Sequence, residues 1–251
     1  IPLQNLRLAE FDQLQRWFPR AYTPVGVRVV DIDEASLKEY GQWPWPRTIL
    51  AELVDRLHAA GAAVVVFDVL LAEPDRTSPA RMAKLWNDPK VTPLLQTLPD
   101  NDLVLQKSFE AQNVVLGSSL ERTGQRADPL SGPGKPDLPY RIIRSGGGNP
   151  AQWLNAFDSI VLPLPHLMSA AKGVGALNFA SDADGVVRRV PMLFRLGDHF
   201  VPSLSAEALR VAQGTRNYVL RSGDAGIKDV GIGNLTVPTD SRGEIWLYYS
   251  R

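Results

Sequence analysis

The chain has 251 residues, 44% of them apolar and 22% charged, an ordinary globular balance with enough length to bury a sizeable core. Lys+Arg and Asp+Glu are equal at 27 each, so no basic surplus exists to meet a nucleic-acid backbone. Cysteine is absent, which excludes disulfides, thiolate zinc sites and a cysteine nucleophile, and leaves the compartment undecided.

Residues 3–18, "LQNLRLAEFDQLQRWF", predict a helix, with Leu3, Leu6, Phe11, Leu14 and Phe18 spaced three to five apart. Phe11, Leu14 and Phe18 suit either a short helix-pairing seam or packing on the helix's own domain. Residues 25–34, "VGVRVVDIDE", are rich in β-branched side chains and predict a buried strand. "TILAELVDRLHAAG" then predicts a helix with Ile49, Leu50, Leu53, Val54 and Leu57 on one face and Gly61 as its left-handed stop. "AVVVFDVLL" (63–71) predicts the next strand, apolar on both faces, so that residues 25–71 form a βαβ unit with parallel pairing. Residues 74–100, broken by Pro79, Pro89, Pro93 and Pro99, suit short helices or irregular chain. A helix over 101–112, starting at Asn101 or Asp102, and a strand over 113–119 continue the α/β pattern.

Residues 121–150 hold six glycines and five prolines and predict a long surface excursion. Beyond it, 173–196 reads as strand, turn and strand, and 203–214 as a helix capped by Ser203 or Ser205. Three further runs, "NYVLRSG", "GIKDVGIGNLTVP" and "GEIWLYYS", read as antiparallel strands. The expected architecture is therefore α/β: a mostly parallel central sheet flanked by helices, with an antiparallel C-terminal extension. The longest apolar run, Ala59 to Phe67, is about half of the ~20 residues a membrane helix needs. The first residues lack an initiator methionine and a signal-peptide pattern, so the chain reads as a piece of a longer protein with a truncated C-terminus.

Acidic side chains gather where parallel strands should end: Asp31, Asp33 and Glu34 after the first, Asp68 in the second, then Glu73 and Asp75. They could bind a cation through oxygen ligands. The plainer reading makes Asp33 and Asp75 turn and cap residues and pairs Asp31 or Asp68 with Arg47. Asp31-Ile-Asp33 also resembles the Asp-x-Asp of haloacid-dehalogenase-type phosphatases, but Ala35 stands where that family has Thr or Val. In "GQWPWPR" (41–47), Pro44 and Pro46 pre-set helical entrance angles and hold Trp43 and Trp45 as stiff plates. Those indoles could stack a ligand, clasp Arg47 or plug the sheet; plugging is the reading adopted. Asp182-Ala183-Asp184-Gly185 resembles the start of a calcium loop without its downstream Glu, and better suits a tight turn. Arg188 and Arg189 follow on alternate sides of a strand, so one faces inward and needs a carboxylate, Asp182 or Asp184.

Taken together, "VVDIDEASLKEYGQWPWPR", "AAGAAVVVFDVLLAEPDR", "GALNFASDADGVVRRVPMLF" and "VPSLSAEALRVAQG" resemble the type-2 CHASE sensor domain, over roughly residues 25–251. The resemblance implies a bacterial extracytoplasmic sensor, preceded by one membrane helix and followed by others that lead to a cyclase or kinase. Residues 1–24 would then extend the first membrane helix. It implies no catalytic residue and no cofactor. The expected ligand site comprises Asp31, Asp33, Trp45, Arg47 and Asp68, the signal being a small molecule or ion, in a homodimer that binds no nucleic acid. Trp43, Pro44, Pro46, Glu73, Asp75, Asp182, Asp184, Gly185 and Arg188 form the structural motif. The rival readings are a Mg²⁺-dependent phosphatase using Asp31 and Asp33, and a purely structural dimerisation domain.

Overall fold

A computed structural model describes residues 2–124, 130, 138–179 and 181–250, with side chains from residue 6 onward. The chain starts with helix α1 (Pro2–Trp17), then α2 (Glu34–Tyr40), α3 (Arg47–Ala59) and strand β1 (Val65–Leu70). Pro46 sits at the N-cap of α3, where a missing N–H is harmless, and Gly61 closes its far end with φ of 87° while its N–H bonds the His58 carbonyl. Short helices α4 (Pro79–Trp86) and α5 (Thr92–Gln96) fill the proline-broken stretch before α6 (Asn101–Glu110) and β2 (Val114–Glu121). α6 starts at Asn101, as expected, with Asp100 as its cap, whose carboxylate accepts from the Asp102 N–H.

The strand expected over residues 25–34 does not form. Val27 is 69% and Val29 88% exposed, and the Arg28 guanidinium folds back onto the carbonyls of Val25 and Val27. β-Branched side chains favour a strand only where a neighbouring backbone offers a ladder and a surface to pack on. These carbonyls are taken locally instead. The first βαβ unit is therefore absent, and β1 pairs on one side only, with β2. Its expected two-sided burial becomes alternation: Phe67 lies in the core while Val66 and Leu70 face outward.

The remaining elements are β3 (Arg141–Gly146), β4 (Ala156–Phe157), β5 (Ser159–Val161), α7 (Pro165–Ala170), β6 (Gly173–Ala176), β7 (Arg189–Pro191), β8 (Leu193–Leu196), β9 (His199–Pro202), α8 (Leu204–Ala212), β10 (Asn217–Gly223), β11 (Gly226–Ile232), β12 (Leu235–Pro238) and β13 (Glu244–Trp246). They build several sheets that mix parallel and antiparallel pairs. β2 lies between parallel neighbours β1 and β6 and also pairs antiparallel with β5. A second sheet runs β12-β11-β10-β3, antiparallel except at the β10–β3 pair, and β7–β13 and β4-β8-β9 form smaller ones. The fold is mixed α/β with mixed sheets. The physical reason lies in the connections: short Gly-bearing turns such as 223–226 and 233–234 can only make antiparallel neighbours, whereas parallel pairs need long crossovers.

Two further expectations change. Residues 173–196 do give strand, turn and strand, yet β6 joins β2 while β7 pairs with β13, so no hairpin forms. Much of the 121–150 excursion (125–129 and 131–137) lies outside the described residues. Its end, however, is the ordered strand β3, because the open edge of β10 offers its backbone a full ladder.

Apolar burial falls into three clusters. The first packs α3, α6 and α7 on β1, β2 and β6 through Trp45, Leu50, Val54, Phe67, Leu105, Phe109, Leu116 and Leu167. The other two lie under the C-terminal sheets, around Tyr218, Leu220 and Ile232 and around Phe194 and Leu196. α8 crosses close to β6, carrying a fully buried Glu207 held bidentately by Arg210 at 2.7 and 2.8 Å and by the Tyr218 hydroxyl at 2.6 Å. The "GVGA" of β6 permits that approach: a Cβ on Gly175 would stand 2.6 Å from the Leu204 Cα. Backbone cannot swing aside as a side chain can. Gly175→Ala is therefore expected to destabilise the domain by about 1–3 kcal/mol, and Gly26→Ala, in open space, by less than about 0.5 kcal/mol, read from urea midpoints.

Candidate functional site

The acidic rim after β1 is closed by its own partners. Asp75, buried at 6% exposure, accepts at Oδ2 from the Arg47 backbone N–H at 2.8 Å and from the Asn101 amide at 2.9 Å. At Oδ1 it accepts from the N–H and hydroxyl of Thr77, both at 2.7 Å. The Asp75 N–H in turn donates to Asp102 Oδ2 at 2.9 Å, and Asp102 Oδ1 stands 3.5 Å from Arg47 Nε. Burial pushes the Asp75 carboxyl up, but these donors outweigh it and hold it below the ordinary carboxylate range. Two helix N-termini, those of α3 and α6, thus converge on two buried carboxylates, where exposed N–H groups and helix dipoles both favour negative charge.

The residues expected to share a ligand site are only partly together. Arg47 is buried, but its carboxylate is Asp102, not Asp31 or Asp68, both of which are exposed. Asp33 does act as a cap, accepting from the Ser36 N–H at 2.8 Å and hydroxyl at 2.7 Å, and those hydrogen bonds lower its pKa. It precedes a helix rather than ending a strand, so the Asp-x-Asp stands in a different setting from the phosphatase motif. Glu73 is exposed, and its carbonyl, not its carboxylate, meets Arg47.

Trp45 enters the first core cluster, its Nε1 donating to the Gly41 carbonyl at 2.7 Å. Trp43 meets it edge-on at 5.7 Å across a cis Trp43–Pro44 peptide, and Tyr40 lies on the other flank at 5.4 Å. The indoles thus close the core beneath α3 instead of clasping Arg47.

A second polar assembly joins distant parts of the chain. Arg188 is 2% exposed and meets three carboxylates. Asp12, on α1, takes it bidentately at 2.7 and 2.6 Å, Asp182 at 3.0 Å, and Asp184 at 2.9 and 2.6 Å. The Asp182–Gly185 turn is the expected tight one: the Gly185 N–H returns to the Asp182 carbonyl with φ of 81°. Arg189 continues the chain of charges, 2.5 Å from Asp182 and 3.5 Å from Glu244, which accepts from Asn155 at 2.9 Å.

Around this knot, Phe11 packs on Trp246 at 4.6 Å and on Tyr248 at 5.6 Å. Gln15 exchanges hydrogen bonds with the backbone of Leu247 and Tyr249, and the Arg20 guanidinium covers the Tyr248 ring at 3.9 Å. Residues 11–20 and 246–250 therefore run side by side. Asp12 is the participant the sequence did not reveal, for its partner lies 176 positions away and no local pattern marks it.

Comparison with known families decides the class. The CHASE2 domain model matches residues 1–251. The chain belongs to the CHASE2 domain family. That family is a sensory one of extracellular type, and no described helix here is long and apolar enough to cross a membrane. No curated protein and no solved structure matches this CHASE2 domain. The family match takes in α1 as well as the body, so the Asp12–Arg188 contact lies wholly within the CHASE2 domain.

Removing one member of a buried ion pair leaves the other charge unmet. Asp102→Ala is expected to cost about 3–5 kcal/mol in urea unfolding and Glu73→Ala less than about 0.5 kcal/mol. The Arg188 knot should respond to acid. Its hydrogen bonds lower Asp12 below the ordinary 3.8 and hold Asp184 down to about 2. Both are depressed in the folded state, so their contribution is complete above the ordinary carboxylate range and is lost as pH falls through the folded values. A fluorinated Trp246 should report release of α1 between about pH 3.8 and 2. In Asp12→Asn the α1 environment should be loosened already at neutral pH, with a flatter acid response.

Proposed function

We propose that this CHASE2 domain is the extracytoplasmic signal-input module of a bacterial transmembrane receptor and performs no catalysis itself. Membrane helices outside this chain flank it, and the output is an adenylate or guanylate cyclase, or a histidine or Ser/Thr kinase. The observation that carries the reading is the bidentate Asp12–Arg188 contact, which fastens α1 to the body of a sensory-family domain through groups that water can replace. A stimulus, small molecule or ion, shifts the balance between α1 fastened and α1 released, and α1 hands that difference to the membrane. The residues expected as its receptor, Asp31, Asp33, Trp45, Arg47 and Asp68, belong to this reading as a proposal. The receptor acts as a homodimer. Leu6, Leu14 and Trp17 on α1, with Phe18 just beyond it, support this, since each is 46% or more exposed, and they offer the seam.

The purely structural alternative treats the same exposed seam as a dimerisation spacer. Two measurements on the full-length receptor separate the readings. Alkaline phosphatase fused within this domain should be active, reporting export; an inactive fusion that is stably expressed overturns the compartment. Asp12→Asn should change the output activity at least several-fold while abundance stays the same. Replacement of residues 25–251 by an unrelated dimeric domain should abolish regulation. Regulation that survives the replacement assigns the domain to the spacer class.

A further inference from the structure

Beside the Arg188 knot lies a cavity of about 400 Å³ between α1 and the turn that links β12 to β13. Its lining is Arg7 from α1, Arg189 and Trp246 from the β7–β13 pair, and Asp240, Ser241 and Arg242 from the turn. Three arginines and one aspartate are among its lining residues. Arg189 is already met by Asp182 and Glu244, and with Arg7 it lies over the Trp246 ring, at 5.4 and 5.8 Å from its centre. Asp240 is committed to its own turn, Oδ1 accepting from the N–H groups of Arg242 at 2.8 Å and Glu244 at 3.0 Å. The guanidinium groups of Arg7 and Arg242 have no carboxylate partner among the described residues, and Ser241 adds a hydroxyl.

We infer that this cavity binds a small soluble anion carrying phosphate or several carboxylate groups, held between the planar forks of Arg7 and Arg242. A guanidinium presents paired N–H donors that match carboxylate and phosphate oxygens two at a time. Trp246 fixes the Arg7 stem by cation–π contact, so part of the ordering is done before the anion arrives. Because one fork belongs to α1 and the other to the body, the anion bridges them. It binds the fastened arrangement and stabilises it by mass action. The inference rests on the sensory reading above and adds a second ligand site, apart from Asp31, Asp33, Trp45, Arg47 and Asp68.

Calorimetric titration of the domain at 0.15 M salt with pyrophosphate and with citrate tests it. At least one of the two should bind at a single site. Arg7→Gln and Arg242→Gln should each weaken it tenfold or more, while Arg144→Gln, exposed on β3, leaves the affinity unchanged. Equal affinity in all three variants, or an equal loss in all three, overturns the site. So does binding to phosphatidylglycerol vesicles without affinity for either free anion, which would make the cavity a lipid-headgroup contact. If the anion binds as described and the full-length receptor's output ignores it, the site stands and the sensory reading fails. If neither anion binds and Asp12→Asn still alters output, the sensory reading stands and the site falls.

Discussion

A guanidinium withdrawn from water needs a carboxylate partner, and at Arg188 this chain meets that demand with three. Three carboxylates converge on it, two from the adjacent turn and one from remote α1, and with them come the Asp182–Gly185 turn and the strand pair β7–β13. The Coulombic gain in such a site is largely cancelled by the cost of desolvation, so its worth lies less in net stability than in fixing which segments meet. Apolar packing of Phe11 on Trp246 is less selective, because a ring can slide where a bidentate fork cannot.

The same logic operates where α3 and α6 begin, with a different outcome. There Asp75 and Asp102 meet the first N–H of α3, the Asn101 side-chain amide and the Arg47 guanidinium, all of it buried. Most polar atoms of that assembly meet each other, the 3.5 Å contact of Arg47 Nε with Asp102 Oδ1 being the loosest, and removal of any member leaves another unmet. The Arg188 knot instead lies where Asp184 reaches solvent, its carboxylate 52% exposed, and where α1 leaves much of its surface uncovered. One network is a clamp within the core. The other is a fastening at a boundary, and boundaries of this kind are where a fold can hold two arrangements of similar energy.

The order of residues pointed to α1, α3, α6 and α8, but not to α2 or α7. α3 and α8 carried their stops and caps in adjacent residues, Pro46 and Gly61 for the first and Ser203 and Gly214 for the second. The inward arginine with its Asp182 and Asp184 partners was also visible, because all three lie within seven positions and strand alternation forces one arginine inside. Strand pairing was less legible. "VGVRVVDID" has every local mark of a strand and is not one, while "RIIRSG", set among glycines and prolines, is.

Capping, turn geometry and helical periodicity are short-range properties, decided by neighbours a few bonds apart, and the order of residues was sufficient to specify them. Sheet partners, the Asp102 claim on Arg47 and the Asp12 claim on Arg188 join groups tens to nearly two hundred positions apart. Each depends on which backbone edge or buried charge remains unmet after the rest has packed. That is a property of the folded molecule, because a ladder edge or a desolvated guanidinium exists only once the surrounding chain has excluded water from it.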